Sequence, residues 1–177
     1  MRAEIEREFE RLSLVARQIR TLETLQDHQV RSGAQPAIAV LSRLAGIGTG
    51  SAWTLIKELF GWRQFHNRRE VAGCLGLAPT PYSSGTSEVE QGISKAGNKR
   101  ARWLMVELAW SWLRFRPGSQ LSQWFNERFT GGGKRMRRIG IVALARRLSI
   151  ALWRYLEHGE IPLGATLKPP GSNAVAT

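Results

Sequence analysis

Apolar positions in the first thirty residues fall on one narrow line. Ile5, Phe9, Leu12, Val15, Ile19 and Leu22 follow one another at spacings of 4, 3, 3, 4 and 3, with charged and glutamine residues on the other sides. That spacing predicts one helix over residues 3–30. A stripe so narrow suits a coiled coil or a helical hairpin, and an amphipathic helix packed on its own domain is the alternative. Ser32-Gly33 and Pro36 break the pattern. Ala37–Leu44 then reads as an apolar helix, Gly46-Ile47-Gly48 as a tight turn and Ser51–Phe60 as a second helix.

The middle of the chain is less regular. Arg69–Leu75 reads as a short helix closed by Gly76, and residues 77–87, with two prolines, a glycine and five serine or threonine side chains, read as a loop. Glu88–Ile93 reads as a short extended piece, but no strand pattern stands out anywhere. Asn98 is placed to cap a helix from Lys99 to Phe115. Ala101, Leu104, Leu108, Trp112 and Phe115 give that helix one apolar face; Trp103 and Trp110 make the other side apolar too, predicting burial over much of its surface. A short helix over 119–130, a flexible Gly131-Gly132-Gly133 break and a long helix from about Ile139 to Glu157 follow. The inner side of the long helix is Ile141, Leu144, Leu148, Leu152 and Tyr155. The expected fold is mainly α, organised as a coiled-coil-like helix at 1–33, a helical domain at 34–162 and a disordered tail at 163–177.

Charge changes this picture. The 177 residues carry 26 Lys+Arg and 14 Asp+Glu, a net charge of +12. Residues 1–30 hold 5 basic and 6 acidic side chains, so the remainder holds 21 and 8, a net of +13. A domain so basic points to nucleic acid first and an anionic membrane second. No run of 18 apolar residues occurs, so no membrane span is expected. One cysteine, Cys74, cannot form an internal disulfide, and the chain reads as intracellular. His28, His66 and His158 lack metal-ligand spacing, and beyond residue 30 there is no aspartate. A nuclease that holds Mg²⁺ on clustered carboxylates is hard to build from these residues.

The candidate binding residues follow from the same positions. Residues 37–61 have the order of a helix–hairpin–helix, with an ordinary αα-hairpin as the alternative. The amides around Gly46, Gly48 and Thr49 would hold a phosphate oxygen without reading a base. Lys99, Arg100 and Arg102 sit in the first turn of the next long helix, where cations oppose the helix dipole. A bound anion would remove that conflict, so these residues and Lys95 form a candidate phosphate site. Lys134, Arg135, Arg137 and Arg138 form a second basic cluster. Trp62 and Trp124 are the tryptophans placed to stack on bases.

Five segments in order carry a resemblance. They are Leu44-Ala45-Gly46-Ile47-Gly48, Cys74-Leu75-Gly76-Leu77-Ala78-Pro79, Tyr82-Ser83-Ser84-Gly85, Gly92–Arg100 and the Ile141–Trp153 helix. Together they resemble the C-terminal domain of IS110/IS1111-type insertion-sequence transposases over residues 37–160. The resemblance implies a bacterial DNA recombinase, cytoplasmic and nucleoid-associated, acting as an oligomer that residues 3–30 would assemble. It implies a serine nucleophile in the Tyr82–Gly85 segment; Ser84, directly before Gly85, is preferred and Ser83 is the reserve. It also implies an N-terminal RuvC-like domain with metal-binding acids, which this sequence does not contain, so Mg²⁺ is expected only with that domain. Some members are directed by a structured RNA encoded in the element. A non-catalytic nucleic-acid-binding module is the alternative reading.

Overall fold

The computed structural model describes residues 1–84 and 87–169, with the side chains of 80–91 outside that description. Seven helices and one hairpin follow in the order α1 (Arg2–Arg31), α2 (Pro36–Ser42), α3 (Thr49–Leu55), α4 (Arg68–Cys74), β1 (Pro79–Ser84), β2 (Ser87–Ile93), α5 (Lys99–Phe115), α6 (Gln120–Phe129) and α7 (Gly133–His158). Helix α3 continues without a break into a π-helical turn, Ile56–Phe60, closed by the Gly61 N–H on the Ile56 carbonyl at 2.7 Å.

The core forms where α5, α6 and α7 meet and is closed by α2, α3 and α4. From α7 come Ile141, Leu144, Ala145, Leu148 and Leu152; from α5, Ala101, Met105, Leu108, Ala109 and Trp112; from α6, Phe125 and Phe129, all buried. Each large apolar side chain removed from water in this way contributes about 1.5–3 kcal/mol. Helix α1 is different. Only Val30 is buried, while Ile5, Phe9, Leu12, Val15, Ile19 and Leu22 are all exposed. The helix leaves its apolar stripe uncovered and joins the domain core through Val30, beside α2 and α3.

Four expectations from sequence need correction. Residues 79–93 are an antiparallel hairpin rather than a loop with one extended piece. Tyr82 pairs with Val89, Ser83 with Glu88 and Ser84 with Ser87, with a one-residue irregularity between Pro79 and Pro81. Both strands are edges, so Pro79 and Pro81 cost no central ladder bond. Trp103 (64% exposed), Trp110 (37%) and Phe115 (57%) lie outside the core; Met105, Leu108 and Trp112 already fill the inner face of α5. Helix α7 starts at Gly133, so Lys134–Arg138 is its first turns rather than a segment after a flexible break. Residues 163–169 pack back on the domain instead of trailing away. Leu167 bridges Leu44, the Ala45 N–H donates to the Thr166 carbonyl at 2.9 Å, and Lys168 Nζ donates to the carbonyls of Ser42 (2.9 Å) and Ile47 (2.7 Å). The rest of that segment, 170–177, lies outside the described residues.

Candidate nucleic-acid interface

The hairpin stands on a latch between two glycine-containing turns. The Asn98 N–H donates to the Cys74 carbonyl at 2.9 Å, and the Lys95 N–H to the Gly76 carbonyl at 3.1 Å. Arg102 Nη1 then donates to both the Leu75 carbonyl (3.0 Å) and the Lys95 carbonyl (2.9 Å). The turns approach so closely that a Cβ on Gly97, at φ +116, would lie 2.2 Å from the Cys74 oxygen. Lys95 is itself held at φ 55, a conformation uncommon for a side-chain-bearing residue. The latch fixes the base of the strands that carry Ser83 and Ser84. Both serines have paired backbones in β1; their side chains, and the turn residues Gly85 and Thr86, lie outside the described residues.

The anion that the start of α5 calls for is supplied by the chain itself. Glu58, in the π-helical turn, accepts from Asn98 Nδ2 at 3.0 Å and pairs with Arg100 Nη1 at 3.3 Å. Asn98 also caps α5 by accepting from the Ala101 N–H at 2.9 Å. Arg100 and Arg102 are thus engaged in holding the fold. Lys95 and Lys99 are exposed at the same corner.

The Gly46–Gly48 turn is pinned on its carbonyl side. Arg116 Nε donates to the Ala45 carbonyl at 3.0 Å, and Lys168 takes the Ile47 carbonyl. Burial, and secondarily the nearby Arg116, lower the pKa of Lys168. Gly46 has φ +103 and Gly48 precedes α3 with an extended backbone and no side-chain cap. The first-turn amides at Thr49 and Gly50 have no intrahelical acceptor.

A concavity adjoins the hairpin base. It is a groove of about 1330 Å³ between α4, α6 and α7, bordered by Pro79 and Ile93. Its walls carry Arg68 and Arg69 of α4 and Arg135, Arg138, Arg146, Arg147 and Arg154 of α7, against the single carboxylate of Glu160. None of these arginines takes part in an ion pair among the described residues. The floor is apolar, with Leu77, Ile93, Leu121, Trp124, Val142 and Ile150. Arg147 lies 3.9 Å over the Trp124 ring. Its pKa is lowered by burial and then by Arg128, two penalties that a bound anion would offset.

Local chemistry explains how α4 presents its arginines. Asn67 caps the helix by accepting from the Arg69 and Glu70 N–H groups at 2.9 and 3.0 Å, and Glu70 accepts from the His66 N–H at 2.9 Å. The reciprocal cap holds a turn whose Arg68 and Arg69 oppose the helix dipole. The His66 N–H, despite a smaller opposing effect of desolvation, lowers the pKa of Glu70.

Of the residues expected from sequence, Arg135 and Arg138 line the groove. Arg137 turns away and lies 5.5 Å over Trp110, and Lys134 is exposed outside it. Trp124 belongs to the floor, whereas Trp62 is 62% exposed with Arg63 at 5.0 Å from its ring. Sequence reasoning did not assign Arg68, Arg69, Arg146, Arg147 or Arg154. The signal was present: residues 135, 138, 142, 146, 150 and 154 form a second helical stripe beside the buried one. No three His, Cys, Asp or Glu side chains come together to hold a metal among the described residues. No described helix is long and apolar enough to cross a membrane.

Residues 38–123 match the sequence profile described as the transposase IS116/IS110/IS902 family. The chain is 41% identical over 181 residues to the putative transposase y4rJ of Sinorhizobium fredii, covering 96% of this chain and 46% of that protein. It is 32% identical over 119 residues to the transposase for insertion sequence element IS1111A of Coxiella burnetii (66% of this chain, 32% of that protein). It is 30% identical over 124 residues to the transposase for IS1328 of Yersinia enterocolitica (68% and 36%). The chain spans less than half the length of these relatives.

Proposed function

The chain belongs to the IS116/IS110/IS902 transposase family, and from that premise we propose that it is the part that grips DNA and supplies a serine nucleophile for strand cleavage and exchange. The observation that carries this reading is the adjacency of the hairpin bearing Ser83 and Ser84 to a groove walled by seven arginines. In the proposed step the Ser84 hydroxyl oxygen bonds to a backbone phosphorus. The bond from that phosphorus to one sugar oxygen breaks, and the sugar oxygen leaves as a hydroxyl once protonated. The phosphoserine link keeps the ester energy for rejoining to another strand.

A serine hydroxyl is almost wholly protonated at neutral pH and attacks poorly unaided. Cations that stabilise the developing charge on the phosphate lower the barrier. Lys95, Lys99 and the groove arginines stand at the base of the hairpin, the end away from Ser84, so their proposed part is to hold neighbouring phosphates of the strand, with the cation nearest the reacting phosphate supplied from elsewhere in the assembly. Backbone grip at Gly46, Gly48 and Thr49 adds contacts that do not depend on sequence. Mg²⁺ would be held by the acids of a RuvC-like domain, as the family resemblance implies. The exposed stripe of α1 supports assembly of several copies through residues 3–30. A guide RNA as partner and association with the bacterial nucleoid belong to the same proposal.

The test joins this chain to a RuvC-like segment from a relative and assays strand exchange. Ser84→Ala should abolish exchange and any serine–DNA adduct, while Ser83→Ala retains both. Unchanged exchange by Ser84→Ala would remove the serine assignment. A second reading, binding without cleavage, is favoured by the carboxylate-poor site; it predicts retention on DNA with no adduct in either variant or in the parent.

A further inference from the structure

We infer that the arginine-walled groove holds an unpaired nucleic-acid strand, with its phosphates along the rim and its bases on the apolar floor. This inference rests on the nucleic-acid reading above and narrows it to a strand state.

Charge selects the polyanion. Seven arginines face one glutamate, so the described lining carries a net +6 and no internal acid balances it. Charge alone would suit a duplex equally well, and the floor decides between the two. Val142, Ile150, Leu121 and Ile93 line the concavity as half-buried apolar side chains, whereas every arginine there but Arg146 is exposed, which puts the apolar surface beneath the charges. A duplex turns phosphates and sugars outward and keeps its base faces stacked inside. Seated here, it would touch the rim and leave this floor uncovered. An unpaired strand has base faces to bury, and apolar or aromatic surfaces are what they stack on.

Shape points the same way. A helix that reads the duplex major groove has to protrude into it. Here the arginine face of α7 is one wall of a hollow, with α4 and α6 opposite. The run from Arg135 to Arg154 extends for about 28 Å at 1.5 Å per residue, enough to follow several phosphates of one strand. Trp124 and Arg147 supply the stacking platform. The Arg147 guanidinium carbon lies 3.9 Å from the centre of the Trp124 ring, and a guanidinium can stack on a base while a phosphate meets its edge. The groove opens beside Pro79 and Ile93, so such a strand passes the base of the serine hairpin.

DNA opened at a cleavage site and a single-stranded RNA share this chemistry, and the experiment separates them. The 177-residue chain is titrated against fluorescent unpaired oligodeoxynucleotides, unpaired oligoribonucleotides and a closed DNA hairpin of equal length, at several salt concentrations. At least one unpaired probe should bind about tenfold or more tightly than the duplex, and the DNA–RNA difference identifies the source. Its affinity should fall with salt at about 0.7 per phosphate contact rather than the duplex value of about 0.9. Val142→Asn, which makes the floor polar without adding charge, should weaken unpaired binding at least tenfold and leave duplex binding unchanged. Trp124→Leu, which keeps the floor apolar, should weaken it about fivefold or more through lost stacking. Thermal melts establish that each variant is folded.

Equal or tighter duplex binding, with both variants affecting the probes alike, overturns the strand assignment and leaves the nucleic-acid reading standing. Absence of binding to any probe overturns both. Arginine substitutions that change only the sedimentation coefficient would assign the groove to an acidic protein segment and also overturn the inference.

Discussion

Gly97→Ala should break the latch under the serine hairpin, and the expected cost can be assembled from the contacts. Gly97 sits at φ +116, a region nearly closed to residues with a side chain; holding one there costs about 1–3 kcal/mol. The added Cβ would lie 2.2 Å from the Cys74 oxygen and 2.9 Å from its carbon, both backbone atoms that no rotamer change can move aside. Relief requires the two turns to part, which sacrifices the Asn98 N–H bond to Cys74, worth about 0.5–1.5 kcal/mol net. The sum is about 2–4 kcal/mol. In a chain of this size each kcal/mol lowers the Tm by roughly 2–4 °C, so the fall should be about 5–15 °C. Gly73→Ala is the matched control. It lies in α4 with nothing within 4 Å of its added Cβ, and the helix gains up to about 1 kcal/mol from the substitution. Calorimetric melts of both variants check the pair. A Gly97→Ala Tm within about 2 °C of the parent would refute the close-approach reasoning.

Gly140→Ala should also destabilise, by about 1–3 kcal/mol of overpacking less up to about 1 kcal/mol of helix propensity, because its Cβ would meet Phe129 Cγ at 2.5 Å and Phe125 Cε2 at 2.8 Å; chemical denaturation measures it. Arg116→Ala and Arg154→Ala should separate two uses of charge. The first loses a hydrogen bond to Ala45 and lowers stability by about 1–2 kcal/mol, while the second leaves stability within about 0.5 kcal/mol and makes the salt slope of nucleic-acid binding shallower by about one contact. Val15→Asp with Ile19→Asp on the exposed stripe should yield monomers in sedimentation velocity with little change in the domain's melt; an unchanged sedimentation profile would end the assembly role of α1. Glu70, whose pKa is lowered from its ordinary 4.5 mainly by the His66 N–H, contributes stability that is present above pH 4.5 and lost as pH falls through the folded-state value. The stability gap between parent and Glu70→Gln should therefore shrink on acidification below pH 4.5.

Local signals reported helices well because each carried its own punctuation. Asn98 and Pro117 bracket α5, and the range Lys99–Phe115 read from them matches the structure. The hairpin was illegible because its strand residues include Pro79 and Pro81, which argue against a strand except at an edge, and a two-stranded hairpin is all edge. Trp103 and Trp110 misled for the opposite reason. Tryptophan at helical spacing reads as core, but only one face of α5 meets α7, and Met105, Leu108 and Trp112 occupy it. The groove was half legible. Its α7 arginines lie on a periodic stripe, but the wall from α4 and the floor from α6 are brought there by long-range packing that no local pattern records.

Net charge therefore divides into two populations that composition cannot separate. Arg100 faces Glu58, Arg102 ties two turns, Arg116 holds the Ala45 carbonyl and Lys168 holds Ser42 and Ile47. Each of these already has an internal acceptor, so recruiting it to a phosphate would first break a contact of the fold. The seven groove arginines have no ion-pair partner among the described residues, so a polyanion could meet them without displacing an internal acid. At the start of α5, Glu58 supplies a carboxylate to Arg100, whereas the groove lining sets the single carboxylate of Glu160 against seven arginines. The proposed nucleic-acid surface therefore rests first on Arg68, Arg69, Arg146, Arg147 and Arg154, whereas Arg100 and Arg102 also carry contacts of the fold.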